Sequence, residues 1–188
     1  MTALPFGPAA AGSGFRNATL DPDGTLRRMP QLVELRGALY PSLALATLRV
    51  HLGTRQLGVV EPAIGWPALR LDDREIPLGA DGSMLVRFRG PSGAFPRVSA
   101  VDVLRDRVPA GAIAGRIVFL GVTAIGLGDT VTTPVGALPG LEVHATVADN
   151  LIQGDFIRRP PAATAVELVL VVGLAAGVAV CVALLYLG

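Results

Sequence analysis

The reading of this chain turns on Arg116–Gly154, RIVFLGVTAIGLGDTVTTPVGALPGLEVHATVADNLIQG. Its opening run, RIVFLG, is short, apolar and bounded by Gly115 and Gly121, which predicts a buried strand. Its closing run, LEVHATVADNLIQG, sets Val143, Val147, Ala148 and Leu151 on one helical face, with Gly154 placed to end the helix. A glycine-rich loop joins the two. Strand, glycine-rich loop and helix are the grammar of an α/β domain, in which ligands sit at the C-terminal ends of strands.

That loop does not match the common phosphate-binding patterns. Gly121 and Gly126 have the G-x-x-x-x-G spacing of a P-loop, but Leu127-Gly128 stand where Lys and Ser/Thr are needed. The dinucleotide pattern G-x-G-x-x-G fails as well, because Val131 follows Gly126-x-Gly128 at the third glycine position. Asp129, Glu142, His144 and Asp149 offer metal-ligand chemistry, yet Glu142 and His144 are two apart and do not share a helical face. No serine sits in a G-x-S-x-G elbow, and Cys181 lies in a long apolar run. The residues predict neither a cofactor, nor a metal, nor an enzyme.

Working outward, Asp21-Pro22-Asp23-Gly24 is a strong turn followed by a strand-like run. Its two aspartates do not make a calcium loop, because the glycine comes fourth rather than sixth. Ser42 opens a helix with Leu43, Ala46, Thr47 and Val50 at helical spacing, and Gly53 closes it. His51 falls in its last turn, where it complements the helix dipole. Residues 54–68 read as irregular. Short strands are expected near Ala68–Leu71 and Met84–Phe88. Arg87 and Arg89 flank Phe88 in strand alternation and read as a solvated face. After the loop RGPSGAFP, Ser99 caps a predicted helix, SAVDVLRDRV, with Asp102 at its third position.

Composition bounds the rest. The chain has 188 residues, 51% hydrophobic and 16% charged, with a net charge of +1. Such a sequence buries enough apolar surface to fold and carries no basic footprint for nucleic acid. Its 15 prolines and 23 glycines exclude a simple helix bundle, and its one cysteine excludes a disulfide framework or a thiolate zinc cluster. The basic residues are all arginine. Leu168–Leu187, LVLVVGLAAGVAVCVALLYL, is uncharged and spans about 30 Å as a helix, the thickness of a bilayer core. Gly173 and Gly177 form a small-xxx-small step that suits a helix–helix contact, so a homodimer is expected. The opening MTALPFGPAAAGSG lacks the charged and apolar regions of a signal peptide. On the residues alone, either upstream sequence is missing or the domain is cytosolic and tail-anchored.

Four stretches in order resemble the C-terminal portion of a type-two CHASE domain (cyclases/histidine kinases associated sensory extracellular). They are GFRNATLDPDGTLRRMP with LYPSLAL, VRFRGPSGAFPRVSAVDVL, RIVFLGVTAIGLGDTVTTPVG and LPGLEVHATVADNLIQG. The resemblance implies an extracytoplasmic (periplasmic) sensory module of a bacterial receptor in the inner membrane. Through a membrane helix it would pass a small-molecule or physical stimulus to a cytoplasmic cyclase, diguanylate cyclase or kinase. A structural, dimerising membrane module without a ligand is the alternative. The positive-inside rule applied to Arg158 and Arg159 alone would put the domain in the cytoplasm; the family layout puts it outside, which is the expectation adopted. Thr123, Asp129, Thr130, Glu142 and His144 fall on the family motifs and are the candidate ligand contacts. The expected fold is α/β, a mixed sheet with flanking helices followed by one transmembrane helix. Its expected parts are an irregular segment 1–13, a sensor domain 14–161 and a membrane helix 162–188.

Overall fold

The computed structural model describes residues 10–54, 56–62, 65–122, 130–158, 160 and 162–187. The described residues form an α/β unit and, separately, one long apolar helix. The class is therefore as expected. Its strands, however, are shared among several small ladders, all antiparallel.

The first element, β1 (Arg28–Pro30), pairs with the distant β7 (Ser83–Leu85) and buries Met29 opposite Met84. The hairpin of β2 (Leu32–Leu35) and β3 (Ala38–Pro41) leads directly into α1 (Leu43–Leu52). A three-stranded sheet follows, made of β4 (Leu57–Val60), β5 (Ala68–Leu71) and β6 (Arg74–Pro77). Two of these strands correct the sequence reading. β4 lies where an irregular segment was expected, and β6 was missed because Ile76 is its one fully buried side chain. A single buried position leaves no alternation to detect.

The stretch after β7 departs further from expectation. The helix expected at SAVDVLRDRV is only α2 (Ala100–Leu104); Ser99 precedes it but makes no side-chain capping bond. Without that cap and without a buried face, nothing carries the helix beyond one turn. RIVFLG forms no ladder among the described residues, and Val118 and Leu120 are exposed rather than buried. The hairpin of β8 (Thr130–Thr133) and β9 (Gly136–Pro139) occupies the second half of the stretch read as a loop. Pro134 and Val135 make the tight turn between the two strands. β9 runs straight into α3 (Gly140–Gln153), which ends at Gly154 in the left-handed conformation, as its glycine predicted.

The core lies between α1, α3 and the small sheets. Leu45, Leu48, Leu69, Met84, Val147 and Leu151 are fully buried there. One buried polar link ties the strands to α1. Ser42 is the N-cap: its hydroxyl accepts from the Leu45 N–H (3.2 Å) and donates to the Gln31 Oε1 (3.1 Å). The Gln31 amide in turn donates to the Met29 carbonyl, so every group in this buried chain has a partner. Phe15 brackets the same turn, donating its N–H to the Pro41 carbonyl and accepting from the Leu43 N–H. Gly14 makes this approach possible, since a Cβ there would lie 2.6 Å from the Ser42 carbonyl oxygen.

The second unit contains α4 (Ala163–Leu187). Among the described residues it alone is long and apolar enough to cross a membrane, over Ala165–Tyr186.

Two substitutions test this framework. Gly14→Ala should force the N-terminal segment off the α1 turn and cost about 1–3 kcal/mol, read by denaturant unfolding. Ser42→Ala removes the cap and leaves the Gln31 carbonyl oxygen buried and unpaired, at a cost of about 2 kcal/mol. Unfolding midpoints equal to wild type in both variants would contradict the packing described.

Candidate functional site

Helix α3 carries the buried polar groups that stand out in this chain. Residues Glu142, Val143, His144, Thr146, Val147, Ala148, Asn150 and Leu151 are all buried, so the helix is enclosed on most of its circumference. A carboxylate, an imidazole and a carboxamide in such a place each need partners, or burial would cost several kcal/mol. The partners come from segments far away in sequence.

At the N-terminal end, the Glu142 carboxylate takes two donors. The Gly93 N–H reaches both oxygens at 3.1 and 3.2 Å, and the Arg97 guanidinium pairs with Oε1 through Nε (2.8 Å) and Nη2. Arg97 also donates to the Ser92 hydroxyl, so the loop RGPSGAFP is pinned to the first turn of α3. A carboxylate in the first turn also opposes the positive end of the helix dipole. Glu142 is thus a cross-brace, with its oxygens engaged by protein donors.

His144 lies two residues further along the helix. It is 8% exposed, its ring donates to the backbone of Arg16, and Nδ1 has no partner. Burial pushes its pKa below the ordinary 6.5; the hydrogen bond to the Arg16 backbone opposes this in part, and the positive charge of Arg16 adds a smaller push downward. The neutral ring therefore suits the folded state.

The C-terminal end of α3 is held by three arginines. Asn150, fully buried, exchanges two bonds with the backbone of Arg87: its Oδ1 accepts from the Arg87 N–H (2.8 Å) and its Nδ2 donates to the Arg87 carbonyl (3.0 Å). Arg89 donates to Asp149 (2.5 Å) and to Asp155 (2.6 Å), and Arg87 donates to the other oxygen of Asp155 (2.6 Å). Arg89 holds the Asp155 carboxyl below the usual carboxylate range. Arg74, on β6, donates to the last carbonyls of α3 at Leu151 and Ile152. The strand face read as solvated is instead a clasp: Arg87 and Arg89 hold the end of α3 and the residue just after its Gly154 stop.

The candidate ligand contacts are not all brought together. Thr123 and Asp129 lie outside the described residues, as do the glycines Gly126 and Gly128 of the loop and the juxtamembrane Arg159 and Pro161. Thr130 is exposed at the start of β8, while Glu142 and His144 are buried. Sequence reasoning missed Arg97 and Gly93 as partners of Glu142, and no local spacing marks them. For the clasp a signal existed: alternate arginines just after β7, and Asp149 and Asp155 straddling the end of a helix.

His144 gives a pH prediction. Its folded pKa is depressed, so the unfolded chain binds the proton more readily. Its contribution to stability is complete above the unfolded value near 6.5 and is lost as pH falls from there through the folded value. Thermal melts at pH 7.5 and 5.5 should therefore differ more for wild type than for His144→Gln. An equal acid-induced drop in both would contradict a buried neutral ring.

The CHASE2 domain family model matches this sequence over residues 2–185, nearly its whole length. No curated protein and no solved structure gives a significant match. The matched stretch includes the loop RGPSGAFP, the β8–β9 hairpin, all of α3 and most of α4. The chain belongs to the CHASE2 family of extracellular sensory domains.

Proposed function

We propose that this chain is the extracytoplasmic input module of a bacterial transmembrane receptor, with α4 as its membrane helix and a nucleotide cyclase, diguanylate cyclase or kinase as the cytoplasmic output. The carrying observation is the order of parts at the end of α3. The helix stops at Gly154, Arg87 and Arg89 grip Asp155, and the unit containing α4 begins at Arg158. A stimulus that shifts α3 or its arginines has a short covalent path to the membrane helix. Pro160 shortens it further in effect, because proline removes backbone freedom.

For a ligand to act, it must bind two states of the domain unequally. The proposed contacts are Thr123, Asp129 and Thr130, with Glu142 and His144 as the α3 groups whose partners would rearrange. Membrane, stimulus and a second receptor copy are the proposed partners, and the inner membrane with the domain in the periplasm is the proposed location. The Gly173–Gly177 step supports association of two membrane helices.

In the intact receptor, a flexible glycine-serine insertion at Pro160 should uncouple the output from the stimulus while leaving basal output measurable. Regulation that survives the insertion would contradict the proposal. A phosphatase reporter that works only outside the cytoplasm, fused ahead of residue 1, should be active; a reporter active only when cytoplasmic would reverse the topology.

A further inference from the structure

We propose that residues 92–97 form a carboxylate-binding seat, filled by the chain's own Glu142 as an internal ligand that latches a surface strap, residues 93–121, to α3. This inference is independent of the sensory reading, because its test reads chain cleavage and not signalling.

Two kinds of donor converge on one carboxylate. The turn Pro91-Ser92-Gly93-Ala94 is closed by the Ala94 N–H, which donates to the Pro91 carbonyl (3.3 Å). Its third residue, Gly93, has a φ of +99°, a conformation that favours glycine. The Gly93 N–H takes no part in closing the turn and donates instead to Oε1 (3.1 Å) and Oε2 (3.2 Å) of Glu142. Arg97 adds its Nε (2.8 Å) and its Nη2 to Oε1. The same Nη2 donates to the Ser92 hydroxyl (2.6 Å), which holds the guanidinium beside the turn. A backbone amide with a guanidinium is chemistry that recognises a carboxylate. These donors all come from one short loop, and the acceptor from a helix 45 residues beyond Arg97. The loop is therefore the receptor and Glu142 its ligand. Glu142 is 6% exposed, but the Arg97 side chain is half-exposed, so the seat is open to solvent from the loop side.

The latch closes a strap whose two ends meet on neighbouring residues of α3. Gly93 and Arg97 reach Glu142, and Gly121 returns to Leu141, where an added Cβ would lie 3.0 Å from a methyl group. Phe119 packs the far end against the core. Between these points none of residues 98–116 is buried, and the backbone hydrogen bonds of residues 102–107 run within the strap itself. A segment of this kind takes its position from its ends and opens as a unit. The helix holds Glu142 in place, so it outcompetes a free carboxylate, which must give up its own translational freedom to bind.

Glu142→Ala removes one methylene and the carboxylate, and acetate supplies the same heavy atoms. The full chain in detergent micelles is digested with trypsin, whose targets in this sequence are all arginines. Cutting after Arg97 is compared with cutting after the exposed Arg107 in the same sample. The ratio should rise about tenfold in Glu142→Ala, because loss of a charge-assisted hydrogen bond frees the Arg97 side chain for the protease. Acetate should restore protection along a saturating curve; acetamide with matched sodium chloride, the same shape without the charge, should not. Wild type should respond to neither. Glu142→Gln, which keeps the size of the side chain, should also speed cutting after Arg97, with no response to acetate because its carboxamide fills the seat. Cutting after Arg97 at the wild-type rate in both variants would overturn the proposal. So would protection by acetate no greater than that by acetamide. Equal acceleration at every arginine in both variants would overturn it too, since Glu142 would then brace the whole domain rather than latch the strap.

Discussion

Burial of α3 is the constraint on which the rest of this domain depends. An amphipathic helix shows one face to water, but α3 is enclosed on most sides and still carries a glutamate, a histidine and an asparagine inward. The glutamate and the asparagine are satisfied where they lie. Glu142 takes the Gly93 amide and Arg97, and Asn150 takes both backbone groups of Arg87. These bonds fix where the loop after β7 runs and hold the distant β7 end against α3. Arginine suits the task because its planar fork donates to two acceptors at once, as Arg89 does with Asp149 and Asp155.

The parts of the fold that were legible in the sequence are those with local causes. Ser42 and Gly53 mark the ends of α1, Gly154 marks the end of α3, and Leu168–Leu187 announces the apolar helix through length alone. Features set by distant contacts were hidden. β4 and β6 are short strands whose pairing with β5, not their own pattern, makes them strands. RIVFLG misled in the opposite sense: its composition asks for neighbours on both sides, and the described residues provide none in a ladder. The site followed the same division. Glu142 and His144 stood out as polar residues on an apolar helix, but Arg97 and Arg16, which lie far from them in sequence, could be paired with them only by the fold.

For a sensory domain, the two ends of α3 have different characters. The N-terminal brace buries a carboxylate beside a half-exposed arginine, and a buried neutral histidine follows it. The C-terminal clasp is more accessible, since its arginines and carboxylates are partly open to solvent. Ion pairs of that kind contribute modestly to stability one at a time, but several sharing Asp155 set the position of the chain. α3 thus has a buried brace at one end and a more solvent-accessible clasp at the other.

The central claim is that Arg89 and Arg87 fix the chain just beyond α3. Backbone hydrogen exchange of residues 154–158, compared between wild type and Arg89→Ala, tests it most directly. The Asp155 N–H bonds to the Asn150 carbonyl in the clasped state, and its protection should drop about tenfold or more when a charged hydrogen bond of about 1.5–3 kcal/mol is lost. The rest of α3 should keep its protection. Unchanged exchange at residues 154–158 would contradict the account, because the clasp would then not hold the segment that follows α3.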